Sequence, residues 1–105
     1  MHIELIIDGN KKTFTAPFVP MMAKRKFLEV QVRAEEREKN PTSKELIEED
    51  NEVMSILTDI IFQKQFTLDE LFNGASQEYI DQKLREGVFG IKPKKESDEG
   101  NEKGE

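Results

Sequence analysis

Acidic side chains are the most frequent groups in this sequence that could do chemistry. The chain of 105 residues contains 22 Asp and Glu, and Glu48, Glu49, Asp50 and Glu52 follow one another closely. Such a group could bind a divalent cation, but it lacks the alternating oxygen ligands and the central glycine of a calcium loop. A solvated helix face explains the same run of charges. The sequence therefore assigns no metal ligand to this cluster.

Other catalytic groups are scarce. The chain has no cysteine, which excludes a thiolate nucleophile, a disulfide framework and a zinc–thiolate site. Its single histidine, His2, lies beside the N-terminus, where a catalytic triad or a histidine-based metal cluster is not expected. We therefore predict that the protein is not an enzyme and has no cofactor.

A basic stretch, Lys24-Arg25-Lys26, stands at the start of a predicted helix. Cations are unfavourable there, because the N-terminus of a helix carries partial positive charge. Two explanations remain open. The cations could contact an anionic surface on a partner protein or on a second copy, or they could pair within the chain with Glu29 and the second helix.

Apolar residues precede this basic stretch. An aromatic ring beside methionines suits an adaptable contact surface, because methionine repacks easily around different partners. The same side chains could instead belong to the core and link a hairpin to a helix. The residues predicted to contact a partner are Phe18, Val19, Met21, Met22, Lys24, Arg25 and Lys26.

The first element that must position these residues is a β-hairpin over residues 2–15. Apolar residues at every second position indicate a half-buried strand: Ile3, Leu5 and Ile7. Asp8 and Gly9 supply the two positive φ angles that a tight hairpin turn requires. The free edges of a lone hairpin are a candidate surface for self-association.

Two long helices are predicted next, over about 20–38 and 43–64. The first has an apolar stripe at helical spacing: Ala23, Phe27, Val30 and Ala34. The second has a seam at seven-residue spacing: Ile47, Met54 and Ile61. Thr42 and Glu45 form a predicted capping box, in which each side chain binds a free backbone N–H group.

Two short helices follow, over about 68–73 and 76–86. Thr67 and Glu70 form a second predicted capping box, and Phe66 and Leu71 are spaced as a hydrophobic staple. Ser76 is the predicted cap of the last helix. Two glycines are expected to end these helices: Gly74 and Gly87.

The predicted fold is thus α+β and mostly α, with an N-terminal β-hairpin followed by two long and two short helices. Residues 1–91 form one small domain, because all the apolar residues lie there. Residues 92–105 contain none, which predicts a disordered, charged C-terminal tail.

The net charge of −6 opposes general affinity for nucleic acid or for anionic lipid. No apolar run approaches the ~20 residues that a membrane-spanning helix needs, and the N-terminus lacks the pattern of a signal peptide. We therefore expect a soluble intracellular protein that binds neither nucleic acid nor membranes.

The N-terminal sequence resembles a known family. The stretch MHIELIIDG, the following Lys-Thr-Phe and the segment APFVP at 16–20 are similar to tail assembly chaperones of long-tailed bacteriophages that infect Gram-positive bacteria. A helix that starts with methionine and basic residues, a later helix rich in Glu and Ile, and the step at 66–71 also fit this family. The resemblance covers roughly residues 1–90 and concerns the overall layout and the N-terminal motif.

The resemblance implies a non-catalytic function. Such chaperones bind the long, hydrophobic tape-measure protein in the host cytoplasm, keep it soluble while tail-tube subunits assemble around it, and are absent from the mature virion. A longer product of programmed frameshifting commonly recruits the tail tube protein, and Lys92-Pro93-Lys94-Lys95 lies where such a slip could occur. A small domain of this kind would also gain stability from association into a homo-oligomer.

A second class of function stays open. A small acidic phage-encoded inhibitor could mimic DNA and bind a host protein, and both the net charge and the acidic second helix permit this. The basic residues that alternate with the acidic ones argue against it, because a DNA mimic needs a continuous anionic ridge.

Overall fold

The computed structural model describes residues 1–91. It confirms the predicted fold class, with an N-terminal hairpin followed by helices. The predicted tail over 92–105 lies outside the described residues. The elements are β1 (His2–Ile7), β2 (Asn10–Thr15), α1 (Met22–Glu36), α2 (Ser43–Ser55) with a π-helical continuation (Ile56–Ile61), α3 (Leu68–Gly74) and α4 (Gln77–Phe89).

The hairpin has the predicted two-residue turn. β1 and β2 pair antiparallel, with Ile7 opposite Asn10. Asp8 and Gly9 between them have φ angles of 53° and 78°, as a tight hairpin turn requires. One edge of the hairpin is covered, because the backbone N–H of Glu4 donates to the Tyr79 hydroxyl of α4 at 3.0 Å.

The core lies between the inner face of the hairpin and the four helices. Its largest fully buried side chains come from β1, from the π segment and its end, and from α3: Ile3, Leu5, Ile56, Leu57, Ile61, Phe62 and Leu71. Phe66 joins the hairpin to the helices, because its ring centroid lies 5.0 Å from that of Phe14 and 5.4 Å from that of Phe62. The hairpin and the helices therefore share one continuous core.

Both predicted capping boxes are confirmed. At α2, the backbone N–H of Glu45 donates to Thr42 Oγ1 at 3.1 Å, and the N–H of Thr42 donates to Glu45 Oε1 at 2.9 Å. Thr67 and Glu70 repeat this pattern at α3. Each pair satisfies backbone donors that a helix start would leave without partners.

The predicted end of α4 at Gly87 is wrong. The helix continues to Phe89, and Gly90 ends it with a left-handed φ of 70°. Gly87 lies inside the helix, where an added Cβ would stand 2.7 Å from Ile61 Cδ1. This glycine therefore permits the close approach of α4 to the π segment.

The predicted burial of Ile47 in the seam of α2 is also wrong. Its side chain is 61% exposed, whereas Met54 and Ile61 are buried. Residues 43–48 are exposed throughout, so the first turns of α2 extend beyond the core and the seven-residue spacing meets no core there. The spacing is then interrupted further along by the π segment, whose Leu57 carbonyl accepts from the N–H of Phe62 at 3.0 Å.

Candidate protein-binding surface

The apolar residues at the start of α1 are on the surface. Phe18 is 64% exposed, Met21 89% and Met22 57%, so these three side chains do not form the link to the core that was the alternative. Val19, the fourth residue of the predicted group, is half-buried and packs against the core. Phe18, Met21 and Met22 are here called the apolar trio.

Two prolines restrain the segment that carries the apolar trio. Pro17 and Pro20 have fixed φ angles, and the Pro20 carbonyl accepts from the N–H of Ala23 at 3.0 Å at the start of α1. Ala23 itself is buried. The backbone before and after the apolar trio is therefore restrained. This lowers the entropic cost of ordering the segment when a partner binds.

The basic stretch divides between intrachain contacts and exposed charge. Arg25 Nε lies 3.5 Å from Glu29 Oε2, and Lys26 Nζ lies 3.6 Å from Glu52 Oε1. The intrachain explanation thus applies to these two cations. Lys24 is exposed and forms no ion pair within residues 1–91.

A cluster of ion pairs joins α1 to α2 beyond the basic stretch. The Arg33 guanidinium donates to both oxygens of Glu52, at 3.0 Å for Nη1 to Oε2. Arg37 pairs with Glu49 one turn away along α2. Glu49 and Glu52, two members of the acidic cluster noted in the sequence, therefore hold the helices together.

A family model described as phage tail chaperone protein matches residues 1–105. The chain belongs to this family. No curated protein and no solved structure gives a match. Membership confirms the resemblance at the level of a phage tail chaperone, and the family, generally non-enzymatic, acts by interaction with tail proteins.

The acidic cluster of this tail chaperone does not form a metal site. Of its remaining members, Glu48 lines the same depression between α1 and α2 as Glu49 and Glu52, whereas Asp50 lines a groove between α2, α3 and α4. In the part of the chain that the structure describes, no group of three or more His, Cys, Asp or Glu side chains could hold a metal ion. None of the helices within these residues is long and apolar enough to span a bilayer.

The groove between α2, α3 and α4 was not anticipated from the sequence. Its volume is about 310 Å³, and its lining is mostly apolar with an aspartate on either side: Asp50, Met54, Phe72, Ala75, Gln77, Ile80 and Asp81. Phe72 is partly exposed there, while Leu71 is buried. The sequence holds no sufficient signal for this groove, because the groove depends on the relative position of three helices.

The contact with Arg33 shifts the pKa of Glu52 in the tail chaperone. Hydrogen bonding from Arg33 lowers the pKa of the Glu52 carboxyl below its ordinary value, with a further contribution from the charge of Lys26 and partial opposition from burial. The same hydrogen bond raises the pKa of Arg33. The carboxylate form of Glu52 is thus favoured by folding.

We expect Glu52 to contribute to the loss of stability in acid. Because its pKa is lower in the folded chain than in the unfolded one, its contribution is complete above the ordinary carboxyl pKa and is lost as the pH falls through the folded value. Urea unfolding between pH 7 and pH 3 should show a shallower acid decline for Glu52→Gln than for the unmodified chain. Glu48→Gln on the same helix is the control, and equal slopes for all three proteins would contradict the prediction.

Proposed function

We propose that this tail chaperone binds the tape-measure protein of a long-tailed phage of Gram-positive bacteria and keeps it soluble in the host cytoplasm. Tail-tube subunits would then assemble around the client, and the chaperone would leave before the virion is complete. The apolar trio at the start of α1 is the observation that carries this proposal. Family membership supports a role in tail assembly, and the trio supplies a surface for an apolar client.

The distribution of apolar surface favours a holding function. Eleven large apolar side chains are exposed within residues 1–91, which is apolar area that an insoluble client could cover. The net charge of −6 keeps the chaperone itself dissolved while this area is exposed. Binding of this kind requires neither a nucleophile nor a metal.

Methionine makes the trio suitable for a long client with varied sequence. Met21 and Met22 have unbranched, flexible side chains that adapt to different apolar partners, and Phe18 adds a large aromatic surface beside them. Lys24 and Arg25 lie one turn further along α1 and are exposed. They are available to acidic residues of a partner protein or of a second copy.

Two further parts of the proposal concern assembly. A longer product from frameshifting at Lys92-Pro93-Lys94-Lys95, outside the described residues, would recruit the tail tube protein. Codons there that cannot slip would remove this part. We also propose a homo-oligomer, in which several copies cover one client chain.

The ion pairs between α1 and α2 speak against a DNA mimic. Glu49 and Glu52, which would belong to an anionic ridge on α2, are neutralised by Arg37 and Arg33. A ridge interrupted by guanidinium groups does not reproduce the regular charge spacing of a DNA backbone.

Co-expression with the tape-measure protein of the same phage tests client binding. We expect the client to be soluble and to co-purify with several copies of the chaperone. Replacing the apolar trio by Phe18→Ser, Met21→Ser and Met22→Ser should abolish co-purification. Leu46→Ser with Ile47→Ser is the matched control, because both side chains are exposed to a similar degree at the start of α2.

The results of this experiment distinguish the proposed function from the proposed contact surface. A client that stays insoluble with the unmodified chaperone would contradict the proposed function. A client that is rescued equally well by the unmodified chain and by the trio variant would contradict the contact surface alone. Circular dichroism of both variants establishes that they are folded before either result is interpreted.

A further inference from the structure

Helix α1 has two apolar faces, and only one of them belongs to the core. The core face carries residues that are buried or partly buried: Ala23, Phe27, Val30 and Ala34. Leu28 and Val32 lie on the opposite side, roughly 150° away on a helix of ~3.6 residues per turn. Leu28 is 40% exposed and Val32 48%. We call this second side the outer face.

The neighbours of α1 within the described residues leave the outer face uncovered. On one flank, Lys26 and Arg33 reach Glu52 of α2. On the other flank, the ring of Phe27 makes an edge-to-face contact with Phe89 of α4 at 5.3 Å between centroids. The core lies between these two contacts. The outer face is therefore the side of α1 that these contacts leave exposed.

The charges beside the outer face change sign along the helix. Lys24 and Arg25 flank its N-terminal half, and Glu35 and Glu36 flank its C-terminal half. Eleven residues are about three turns, so Lys24 and Glu35 share one flank and Arg25 and Glu36 share the other. Leu28 and Val32 lie between the two charged ends.

This pattern is complementary to itself when one copy is reversed. We propose that the outer face of α1 binds a second copy of this chain in an antiparallel, two-fold symmetric helix pair. The two-fold axis brings each flank against the same flank of the second copy. Lys24 then meets Glu35 of the second copy, and Arg25 meets its Glu36.

The apolar residues agree with the same register. In each charged pair, the numbers of the two residues that face each other add up to about 60. Leu28 facing Val32 of the second copy gives the same sum, so the charged and the apolar contacts form in one register. A parallel two-fold arrangement would instead bring opposite flanks together, with Lys24 against Arg25 and Glu35 against Glu36, which like-charge repulsion disfavours. The existing contact between Arg25 and Glu29 is exposed and is no obstacle, since such pairs contribute little.

The helix pair specifies the self-association that forms part of the proposed function and is independent of client binding. It therefore requires a test on the purified full-length chain without any client. Sedimentation equilibrium from micromolar to near-millimolar concentrations should show a reversible dimer. Its dissociation constant should rise with salt, because the charged pairs are screened.

Charge exchange tests the register. Lys24→Glu alone and Glu35→Lys alone should each raise the dissociation constant about tenfold or more, because each creates two like-charge contacts per dimer. The double variant restores opposite charges and should return the constant to within about threefold of the original. Both single changes favour the helix dipole of α1, so unfolding would not explain a loss of dimer.

Three results would overturn the proposal. The first is a chain that stays monomeric at every concentration, which would leave the outer face to another occupant such as the client. The second is a dimer that is indifferent to both single variants. The third is a double variant no tighter than the singles, because it would show that Lys24 and Glu35 do not face each other.

Discussion

Phe62→Ala is expected to lower the free energy of unfolding by about 3–5 kcal/mol, the range for phenylalanine truncation in a well-packed core. Phe62 is fully buried at the end of the π segment and its ring lies 5.4 Å from that of Phe66. Removal of the ring leaves a cavity between the hairpin and the helices. Since small domains are stable by only about 5–15 kcal/mol, this loss is a large part of the total.

Phe72→Ala is the matched control for this prediction. Phe72 is the same residue type, but its side chain is partly exposed in the groove between α2, α3 and α4. Its truncation should cost about 1 kcal/mol or less. Urea unfolding followed by circular dichroism measures both values, and similar losses for the two variants would contradict the assignment of Phe62 to the centre of the core.

Local signals in the sequence were sufficient to predict the hairpin turn and the starts of α2 and α3. The hairpin turn at Asp8-Gly9 and the capping boxes at Thr42 and Thr67 depend on interactions within four residues. Their chemistry is therefore contained in the sequence window in which it was recognised.

Signals that depend on the tertiary structure were less informative. Glycine is a residue type that often ends helices, but Gly87 lies inside α4, where its missing side chain leaves room for Ile61 of the π segment. Ile61 is 26 positions away in the sequence. Ile47 continues an apolar spacing beyond the point where the core ends. Neither the distance to a packing partner nor the extent of the core can be read from periodicity alone.

The candidate protein-binding surface was only partly predictable from the sequence, because it also depends on the tertiary structure. The apolar trio was identified by residue type, whereas its exposure depends on how α1 lies on the core. Leu28 and Val32 are four residues apart, a spacing that indicates a second apolar face outside the buried stripe of α1. The groove at Phe72 required the relative position of three helices, which no local pattern contains.

The two surfaces of α1 divide the work that we propose for this chaperone. The apolar trio precedes or opens the helix, and the outer face runs along it through Leu28 and Val32. Pairing along the outer face would place two trios at opposite ends of one helix pair, because the helices are antiparallel. A dimer of this form would contact a long client at two separated points, which raises its avidity without new contacts in either copy.

Gly74→Ala should destabilise the domain, although alanine is the better helix former. Gly74 is the last residue of α3, and α3 packs directly on β1. An added Cβ would stand 3.0 Å from the Ile6 carbonyl oxygen and 3.1 Å from Leu5 Cβ. These neighbours are the backbone and the first side-chain atom of a paired strand, so they cannot turn away as the end of a long side chain could. We expect a loss of about 1–3 kcal/mol, as for other overpacked sites.

Asn73→Ala separates this steric effect from helix propensity. Asn73 is the preceding residue of α3, it is exposed, and its side chain donates only to the Asp69 carbonyl at 2.9 Å. Its replacement should change the free energy of unfolding by about 0.5 kcal/mol or less. Because the clash at Gly74 acts on β1, hydrogen exchange of the β1 amides should accelerate in Gly74→Ala and stay unchanged in Asn73→Ala. A Gly74→Ala protein as stable as the unmodified chain, with slow exchange in β1, would contradict the prediction. It would mean that α3 can move away from the hairpin without cost.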